Sequence, residues 1–144
     1  CHYIDLMRFI VGAPITQFDV RRMGDTPAVA VTEDKAAITL SFADGSFGTI
    51  HYLANGAPAF PKERIEVFAG GRTLQLNNFR ELRGFNWPGF RREKAWRQDK
   101  GQSGCVDAFL NAIRSEGPPP IPAGELFEVA RVTIEAAERL RDQK

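Results

Sequence analysis

The chain opens on an amphipathic pattern that predicts a helix. Apolar side chains recur at the three-and-four spacing that lines one helical face, at Tyr3, Met7, Ile10 and Val11. Gly12 can take the left-handed conformation that ends a helix, and Pro14 cannot continue one. No capping Ser or Thr precedes this helix, although its first amide groups need partners. We therefore expect that His2 stood at a junction with a larger polypeptide.

The middle of the chain alternates apolar and polar residues, as half-buried strands do. This alternation predicts antiparallel strands over residues 15–22, 28–32, 36–42, 46–53, 63–68 and 73–76. Residues 79–84 are a candidate for a further strand, and residues 91–96 for either an edge strand or an irregular excursion, which makes six to eight strands in all. Asp44-Gly45 predicts a tight hairpin turn in which both central residues have positive φ, and two glycines at 70–71 predict another. In the strands at 15–22 and 36–42, the side chains expected to face the core are Thr16, Phe18, Val20, Ile38, Leu40 and Phe42.

The last third of the chain returns to helical spacing on either side of a proline-rich link at 118–122. One helix is predicted from Ser103 onwards, with an apolar stripe of Val106, Phe109, Leu110 and Ile113. Another is predicted from Glu125, with an apolar stripe of Leu126, Val129, Ala130, Thr133, Ala137 and Leu140. The polar face of that helix is expected to consist of Glu128, Arg131, Glu135, Glu138 and Arg139.

This order of elements predicts an α+β fold, an open antiparallel β-sheet with helices packed on one face. Strands and helices do not alternate, and no glycine-rich loop joins a strand to a helix. The glycine pair at 70–71 lies in a predicted hairpin, so it is not a dinucleotide-binding fingerprint. The chain is therefore not expected to contain a cofactor-binding domain of its own.

Composition places the chain among ordinary globular proteins. Its 144 residues predict a single domain over 1–144, and the 43% apolar and 26% charged shares are typical values. A net charge of +1 does not indicate a dedicated nucleic-acid binder. No apolar run approaches the roughly 18 to 20 residues of a membrane span. Two cysteines are too few for a disulfide framework, which favours a reducing cytoplasm.

His2 is the first candidate for chemistry. A histidine at the start of a helix can present a ring nitrogen to a ligand at a pKa near working pH. The alternative is a half-exposed histidine at a frayed end. Asp5 lies on about the same side of the first helical turn, where it could orient His2 or simply favour the helix dipole.

The residues from Arg80 to Lys100 form the one shift in composition. This range contains seven basic and three acidic residues, with aromatic residues between them. Such a mixture suits a nucleic-acid surface, but Trp and Arg are also typical of protein interfaces, which we favour. Lys100 stands just before a predicted helix and could reach a ligand cavity, or it could be an ordinary surface lysine.

The remaining nucleophilic and metal-ligating residue types give weaker signals. His51 lies in a predicted strand, where a histidine on the sheet face is the usual interpretation. Cys105 has no histidine beside it in sequence and is expected to be a small packed side chain. Neither cysteine has zinc-ligand spacing, so no metal site is expected.

The first fifteen residues resemble a junction found in the Gfo/Idh/MocA oxidoreductases, glucose-fructose oxidoreductase and inositol dehydrogenase among them. In that family a helix beginning His-x-x-Asp-x-x-Arg follows the cofactor domain, and His2, Asp5 and Arg8 match it. Further segments similar to the family are 42–50, 109–113 and 125–140. Residues 62–68 and 76–80 look closest to a branch in which this module is fused to a zinc-type alcohol-dehydrogenase-like domain.

The resemblance implies a dihydrodipicolinate-reductase-like C-terminal domain whose N-terminal Rossmann partner is absent from this chain. Relatives move a hydride between NAD or NADP and a sugar, cyclitol or similar polyol. It implies a proton-transfer or substrate role for His2. From their positions in the sequence we add Asp5 and Lys100 as candidate substrate-binding residues. The fragment alone is then expected to bind no cofactor, to be inactive and to form a homo-oligomer through its sheet face, with no nucleic acid and no membrane. The alternative is a non-catalytic scaffold that uses its sheet face and the Arg80 to Arg97 segment.

Overall fold

A computed structural model describes residues 1–24 and 34–143. Its elements, in order, are α1 (His2–Val11), β1 (Ile15–Arg22), β2 (Lys35–Phe42), β3 (Phe47–Leu53), β4 (Arg64–Ala69), β5 (Arg72–Asn77), β6 (Glu81–Phe85), β7 (Arg92–Lys94), α2 (Gln102–Arg114) and α3 (Ala123–Asp142). The predicted α+β class is confirmed. The strand predicted at 28–32 lies outside the described residues.

The described strands form two antiparallel sheets rather than one continuous sheet. Strands β1, β2 and β3 make the first, and β4 to β7 make the second, each in chain order. The chain divides into two compact units, residues 1–55 with 117–144, and residues 56–116. The prediction that 1–144 is a single domain stays a prediction.

The first unit packs α1 and α3 against one face of its three-stranded sheet. Leu40 of β2 and Val132 of α3 are its most deeply buried large side chains. The rest of this core consists of Ile4, Ile15, Phe18, Val20, Ala36, Phe42, Ile50, Val129, Ala136 and Leu140. Alternation along β2 therefore placed the core face correctly, and Ile38 packs against it partly buried.

Strand β1 departs from the predicted alternation at its first two residues, Ile15 and Thr16. Its register against β2 shifts between Ile15 and Gln17, which is a β-bulge. An extra residue in one strand reverses the side on which the preceding side chains lie. Ile15 is therefore buried and Thr16 is exposed, so the prediction that Thr16 faces the core is wrong.

The buried faces of α1 and α3 match the predicted stripes in part, since Tyr3, Met7 and Val11 of α1 pack partly buried against the core. In α1, Ile4 and Arg8 are buried, whereas Ile10 is exposed. In α3, the buried residues are Val129, Val132, Ala136 and Leu140, while Leu126 and Ala130 are exposed. In both helices the inward side also carries charged side chains that pair with each other, as described below.

The hairpin between β2 and β3 is confirmed with a different turn geometry. Gly45 has φ of 85°, and Asp44 is not among the residues with positive φ. This matches a longer hairpin loop that ends in one left-handed residue rather than the two-residue turn. The Asp44 carboxylate accepts hydrogen bonds from the backbone N–H of Ser46 at 2.9 Å and from its hydroxyl at 2.9 Å.

Acidification is expected to weaken this turn. The Ser46 backbone N–H, and then its hydroxyl, hold the pKa of Asp44 below the ordinary value of 3.8. The pKa of Asp44 is lower in the folded chain than in the unfolded chain, so the ionised carboxylate stabilises the fold at pH values above the pKa of the unfolded chain. That stabilisation is lost as the pH falls through the pKa of the folded chain. A carboxyl-carbon NMR titration checks this, and Ser46→Ala is expected to raise the midpoint. A midpoint at or above 3.8 in the unmodified chain would contradict it.

The second unit holds a four-stranded sheet with two unlike faces. Cross-strand pairing places aliphatic side chains together on one face, namely Ile65, Val67, Leu74, Leu76 and Leu82. The opposite face carries charged and polar residues with Phe68 and Phe85 among them. Helix α2 shows no buried residue, and the side chains of its predicted apolar stripe are exposed.

Across residues 1–24 and 34–143, none of the helices combines the length and the apolar character that crossing a bilayer requires.

Candidate functional site

His2 and Asp5 lie together on the first turn of α1. His2 is the first residue of the helix and is exposed, and Asp5 is half-buried three residues later. The N-cap Cys1 makes no side-chain cap, but its carbonyl accepts the Asp5 amide at 3.0 Å. A carboxylate in the first turn is favourable beside the amide groups of a helix N-terminus. Within the described residues no hydrogen bond joins His2 to Asp5. The structure therefore favours the interpretation that Asp5 interacts with the helix dipole over the one in which it orients His2.

A buried ion pair fixes the helix that carries His2. The Arg8 Nε donates to Glu128 Oε2 at 3.1 Å, and its Nη2 lies 3.5 Å from Glu125 Oε1. Glu128 also accepts the backbone N–H of Ile15 through its other oxygen. The Arg8 side chain is only 9% exposed. One glutamate thus ties together α1, which carries His2, the start of β1 and α3.

Sequence reasoning missed this ion pair. Arg8 was noted only because it matches the last position of the His-x-x-Asp-x-x-Arg motif, and Glu128 was predicted to lie on the polar face of α3. The available signal was spacing, because Glu125 and Glu128 are three apart and Val132 follows four later, which puts all three on one helical face. Nothing in the sequence indicated that Arg8 would be buried and would pair with these glutamates.

The far end of α3 is held by polar contacts to β1. The Arg139 guanidinium lies 4.1 Å from the centroid of the Phe18 ring and donates to the Phe18 carbonyl at 3.2 Å. Gln143 Nε2 donates to the Val20 carbonyl at 2.9 Å, and its side-chain oxygen accepts the Arg22 amide at 3.2 Å. Arg139 is therefore a packing residue as well as a member of the predicted polar face.

Lys100 belongs to the second unit and has two partners there. Its Nζ lies 2.5 Å from Glu63 Oε1 and 5.6 Å from the centroid of the Phe79 ring. Gly101, with φ of 78°, follows it as the N-cap of α2, and Asp99 Oδ1 accepts the Gly101 amide at 2.8 Å. Lys100 opens onto a surface depression of about 480 Å³. Glu63, its partner, was not singled out in the sequence.

The structure brings two of the three predicted site residues together. His2 and Asp5 share a helical turn in the first unit, and Lys100 lies in the second unit beside Glu63. His51 is exposed in β3 opposite Ala37. Cys1 and Cys105 are both free and exposed, so the prediction that Cys105 is packed is wrong for this chain. Helix α2 leaves its stripe uncovered, which also leaves Cys105 accessible.

Much of the basic segment from Arg80 to Lys100 is engaged in local contacts. Arg83 and Arg92 both pair with Glu81, and the hydrogen bond from Arg83, more than that from Arg92, holds the pKa of Glu81 below its usual range. Arg80 donates to the Trp96 carbonyl at 3.0 Å, and Arg72 lies over the Trp87 ring at 5.7 Å. Paired arginines favour a structural or interface role for this segment over a nucleic-acid surface.

The described residues do not fit a nicotinamide dinucleotide. Dinucleotides bind at the carboxyl ends of parallel strands, where a glycine-rich turn leads into a helix. All strand pairs described in this chain are antiparallel. No step involving the cofactor is therefore assigned to these residues.

Solved oxidoreductases share the fold of this chain. An aldose-aldose oxidoreductase from Caulobacter crescentus, solved with glycerol, superposes with a TM-score of 0.69 at 19% identity over 99% of this chain and 44% of its own. An oxidoreductase from Agrobacterium radiobacter, solved with NAD+, L-tartaric acid and magnesium, gives 0.69 at 18% identity over 99% and 46%. The UDP-N-acetylglucosamine 3-dehydrogenase GnnA from Acidithiobacillus ferrooxidans gives 0.67 at 18% over 95% and 44%.

These structures are oxidoreductases of the Gfo/Idh/MocA type. No protein-family model matches this sequence, and a comparison with curated proteins finds no match. The chain spans less than half of the length of the solved structures that it matches. What the likeness shows is that this chain has the α+β fold of the part of those oxidoreductases that it covers.

Proposed function

We propose that this chain is the C-terminal, substrate-side domain of an NAD(P)-dependent oxidoreductase of the Gfo/Idh/MocA family, acting on a sugar, cyclitol or similar polyol. The observation that carries the proposal is α1, whose first turn presents His2 while the buried Arg8–Glu128 pair holds the helix to the core. A side chain on a rigid helix can meet a reacting group in a defined geometry. The fold likeness to oxidoreductases over nearly the whole chain supports the same assignment.

In this proposal His2 moves the proton of the substrate hydroxyl. An exposed imidazole can accept that proton during oxidation of the alcohol and return it during reduction of the carbonyl. Asp5, one turn along, favours the helix N-terminus and would contact a substrate hydroxyl. Lys100 is the other candidate substrate-binding residue of this proposal, and within its own unit it lines a surface depression.

The cofactor belongs to another part of the intact protein, because these residues offer no dinucleotide crevice. A Rossmann domain preceding this chain would supply NAD or NADP, and the fragment alone would be inactive. Fusion to a zinc-type alcohol-dehydrogenase-like domain and a cytoplasmic location belong to the same proposal. The aliphatic face of the second sheet, with Val67 and Leu74 at its centre, suits self-association, which a solution mass would check.

The test is an activity measurement on the intact protein. The parent protein, including whatever precedes residue 1, is incubated with NAD or NADP and a panel of polyols, and NAD(P)H formation is followed by absorbance. The 144-residue chain is measured in parallel as the control. We expect turnover by the intact protein and none by the chain.

A non-catalytic scaffold is the second candidate. The exposed apolar stripe of α2 and the aliphatic sheet face favour it, since uncovered apolar surface marks interaction sites. A self-associating intact protein that shows no turnover with any polyol and either cofactor would overturn the first proposal and support the second.

A further inference from the structure

Helix α2 is not packed against any other element that the structure describes. It is 13 residues long, none of its residues is buried, and Ala112 alone among them is half-buried. An isolated helix of this length is marginal in water, because most of the stability of a protein helix comes from the packing of its apolar face. A surface beyond the described residues of one copy is therefore needed to stabilise α2.

Four large apolar side chains lie on one face of α2 and are exposed to solvent. They are Val106, Phe109, Leu110 and Ile113, with exposed fractions of 56%, 58%, 39% and 59%. Residues three and four apart are neighbours on a helix surface, so these side chains form one continuous stripe. A continuous exposed apolar stripe indicates an interaction surface.

Two opposite charges flank this stripe on the same side. Asp107 and Arg114 are seven residues apart, which is close to two full turns, and both are neighbours of Leu110. They lie about 10.5 Å apart along the helix axis, too far to pair with each other. Neither forms an ion pair with any residue that the structure describes. Both charges are therefore available to a partner of α2.

The residue pattern of α2 is complementary to the same pattern read in reverse. In an antiparallel pair of α2 helices centred near Leu110, each Leu110 meets its counterpart. Val106 and Ile113 lie four residues before and three residues after this centre, so each faces the other type in the second copy. Asp107 and Arg114 lie three before and four after it, so each faces the opposite charge. Two-fold symmetry makes every such contact twice, and the flanks of an apolar helix seam are where interhelical ion pairs form.

We propose that α2 is a self-association surface that pairs antiparallel with α2 of a second copy of this chain. The two apolar stripes cover each other, and two Asp107–Arg114 ion pairs set the direction of the helices. A parallel pair would place like charges opposite each other at both positions, which is unfavourable. This surface is separate from the aliphatic face of the second sheet, and its assignment does not depend on the proposed oxidoreductase activity.

Charge reversal tests the pairing in the 144-residue chain. Sedimentation equilibrium is expected to show a monomer–dimer equilibrium with a dissociation constant of roughly 10 to 100 μM, since one helix pair is smaller than a standard interface. Asp107→Arg and Arg114→Asp should each weaken the dimer about tenfold or more, because each places like charges together. The double variant, Asp107→Arg with Arg114→Asp, exchanges the signs and should recover most of the lost affinity.

The matched control is Glu138→Arg. Glu138 is an exposed acid on α3, and this variant makes the same change of charge as Asp107→Arg at a position outside α2. It should dimerise as the unmodified chain does. Far-UV circular dichroism of every variant checks that the chain stays folded.

A cysteine cross-link gives a second measurement that also reports the direction of the pair. Leu110→Cys, with Cys1 and Cys105 replaced by Ser, should form a disulfide-linked dimer on mild oxidation, because position 110 lies beside its counterpart. The internal control is the natural, exposed Cys105 in a Cys1→Ser chain. In the antiparallel pair the two Cys105 residues lie about 15 Å apart along the helix axis and should not cross-link.

The possible outcomes are distinct. A chain that is monomeric at every concentration, or a double variant no tighter than the single ones, would overturn the α2 pairing. Cross-linking through Cys105 in place of Leu110→Cys would overturn it too. A dimer that ignores both charge reversals would place self-association on another surface, such as the aliphatic sheet face, and would equally overturn the α2 pairing. A charge-reversible dimer combined with an intact protein that never turns over would support the α2 pairing and contradict only the proposed oxidoreductase function.

Discussion

Replacing Arg8 by Met is expected to lower the free energy of unfolding of this chain by about 3 to 5 kcal/mol. The guanidinium is buried and pairs with Glu128 at 3.1 Å and Glu125 at 3.5 Å. Met keeps most of the side-chain volume, so the loss comes from the charge rather than from a cavity. Glu128 is left as a partly buried carboxylate that keeps the Ile15 amide and loses its cation.

Urea denaturation followed by circular dichroism measures this loss as a lower midpoint at an unchanged m-value. The matched control is Arg131→Met on α3, where Arg131 pairs with Glu135 on the exposed side of the same helix. Such pairs contribute about 0.3 to 0.5 kcal/mol. A double variant, Arg8→Met with Glu128→Gln, should recover part of the loss because the more deeply buried of the two carboxylates no longer carries an unpaired charge. Equal losses for Arg8→Met and Arg131→Met would show that the buried pair does not hold α1.

The helices and strands were predictable because their hydrophobic periods are local properties. The 2-residue alternation placed every described strand to within two or three residues, and the prolines and Gly12 marked where helices begin and end. Even the second sheet, in which no described strand residue is fully buried, keeps the alternation of Ile65 and Val67 with the polar residues Arg64 and Glu66. The spacing of apolar residues and the residues that favour turns can be recognised without knowing which surfaces pack against each element.

The buried faces were less predictable because they depend on contacts distant in sequence. Arg8 and Glu128 are 120 residues apart, and their pairing places a charged residue of α3 toward the interior. The register shift at the start of β1 lies at another such long-range contact, since the Ile15 amide donates to the Glu128 carboxylate. A pattern of apolar residues carries no information on charged groups that become buried as a pair.

The candidate site was predictable only in part. The resemblance of the first turn singled out His2 and Asp5, and the structure keeps them on one turn of α1. Glu63 could not be found in this way, because its distinguishing feature is its pairing with Lys100, 37 residues away. Such a feature exists only after the loop at 56–62 and the start of α2 are positioned.

His2→Ala in the intact protein is expected to lower kcat/KM for its polyol substrate about 100-fold or more, as the loss of a general acid or base requires. That factor corresponds to about 2.7 kcal/mol of transition-state stabilisation. The fall should appear mainly in kcat, since proton transfer develops in the transition state and contributes little to binding of the substrate.

If His2 stabilised the fold instead of taking part in the reaction, different results would be expected. His2 is exposed and makes no hydrogen bond within the described residues, so His2→Ala should leave the urea midpoint of the 144-residue chain unchanged. His51→Ala is the matched control, because His51 is an exposed histidine in β3 and should change neither kcat/KM nor stability. An unchanged kcat/KM for His2→Ala in an active protein would remove His2 from the chemistry. A lowered kcat/KM with a lowered midpoint would instead trace the loss to α1, whose anchor is Arg8 and not the imidazole.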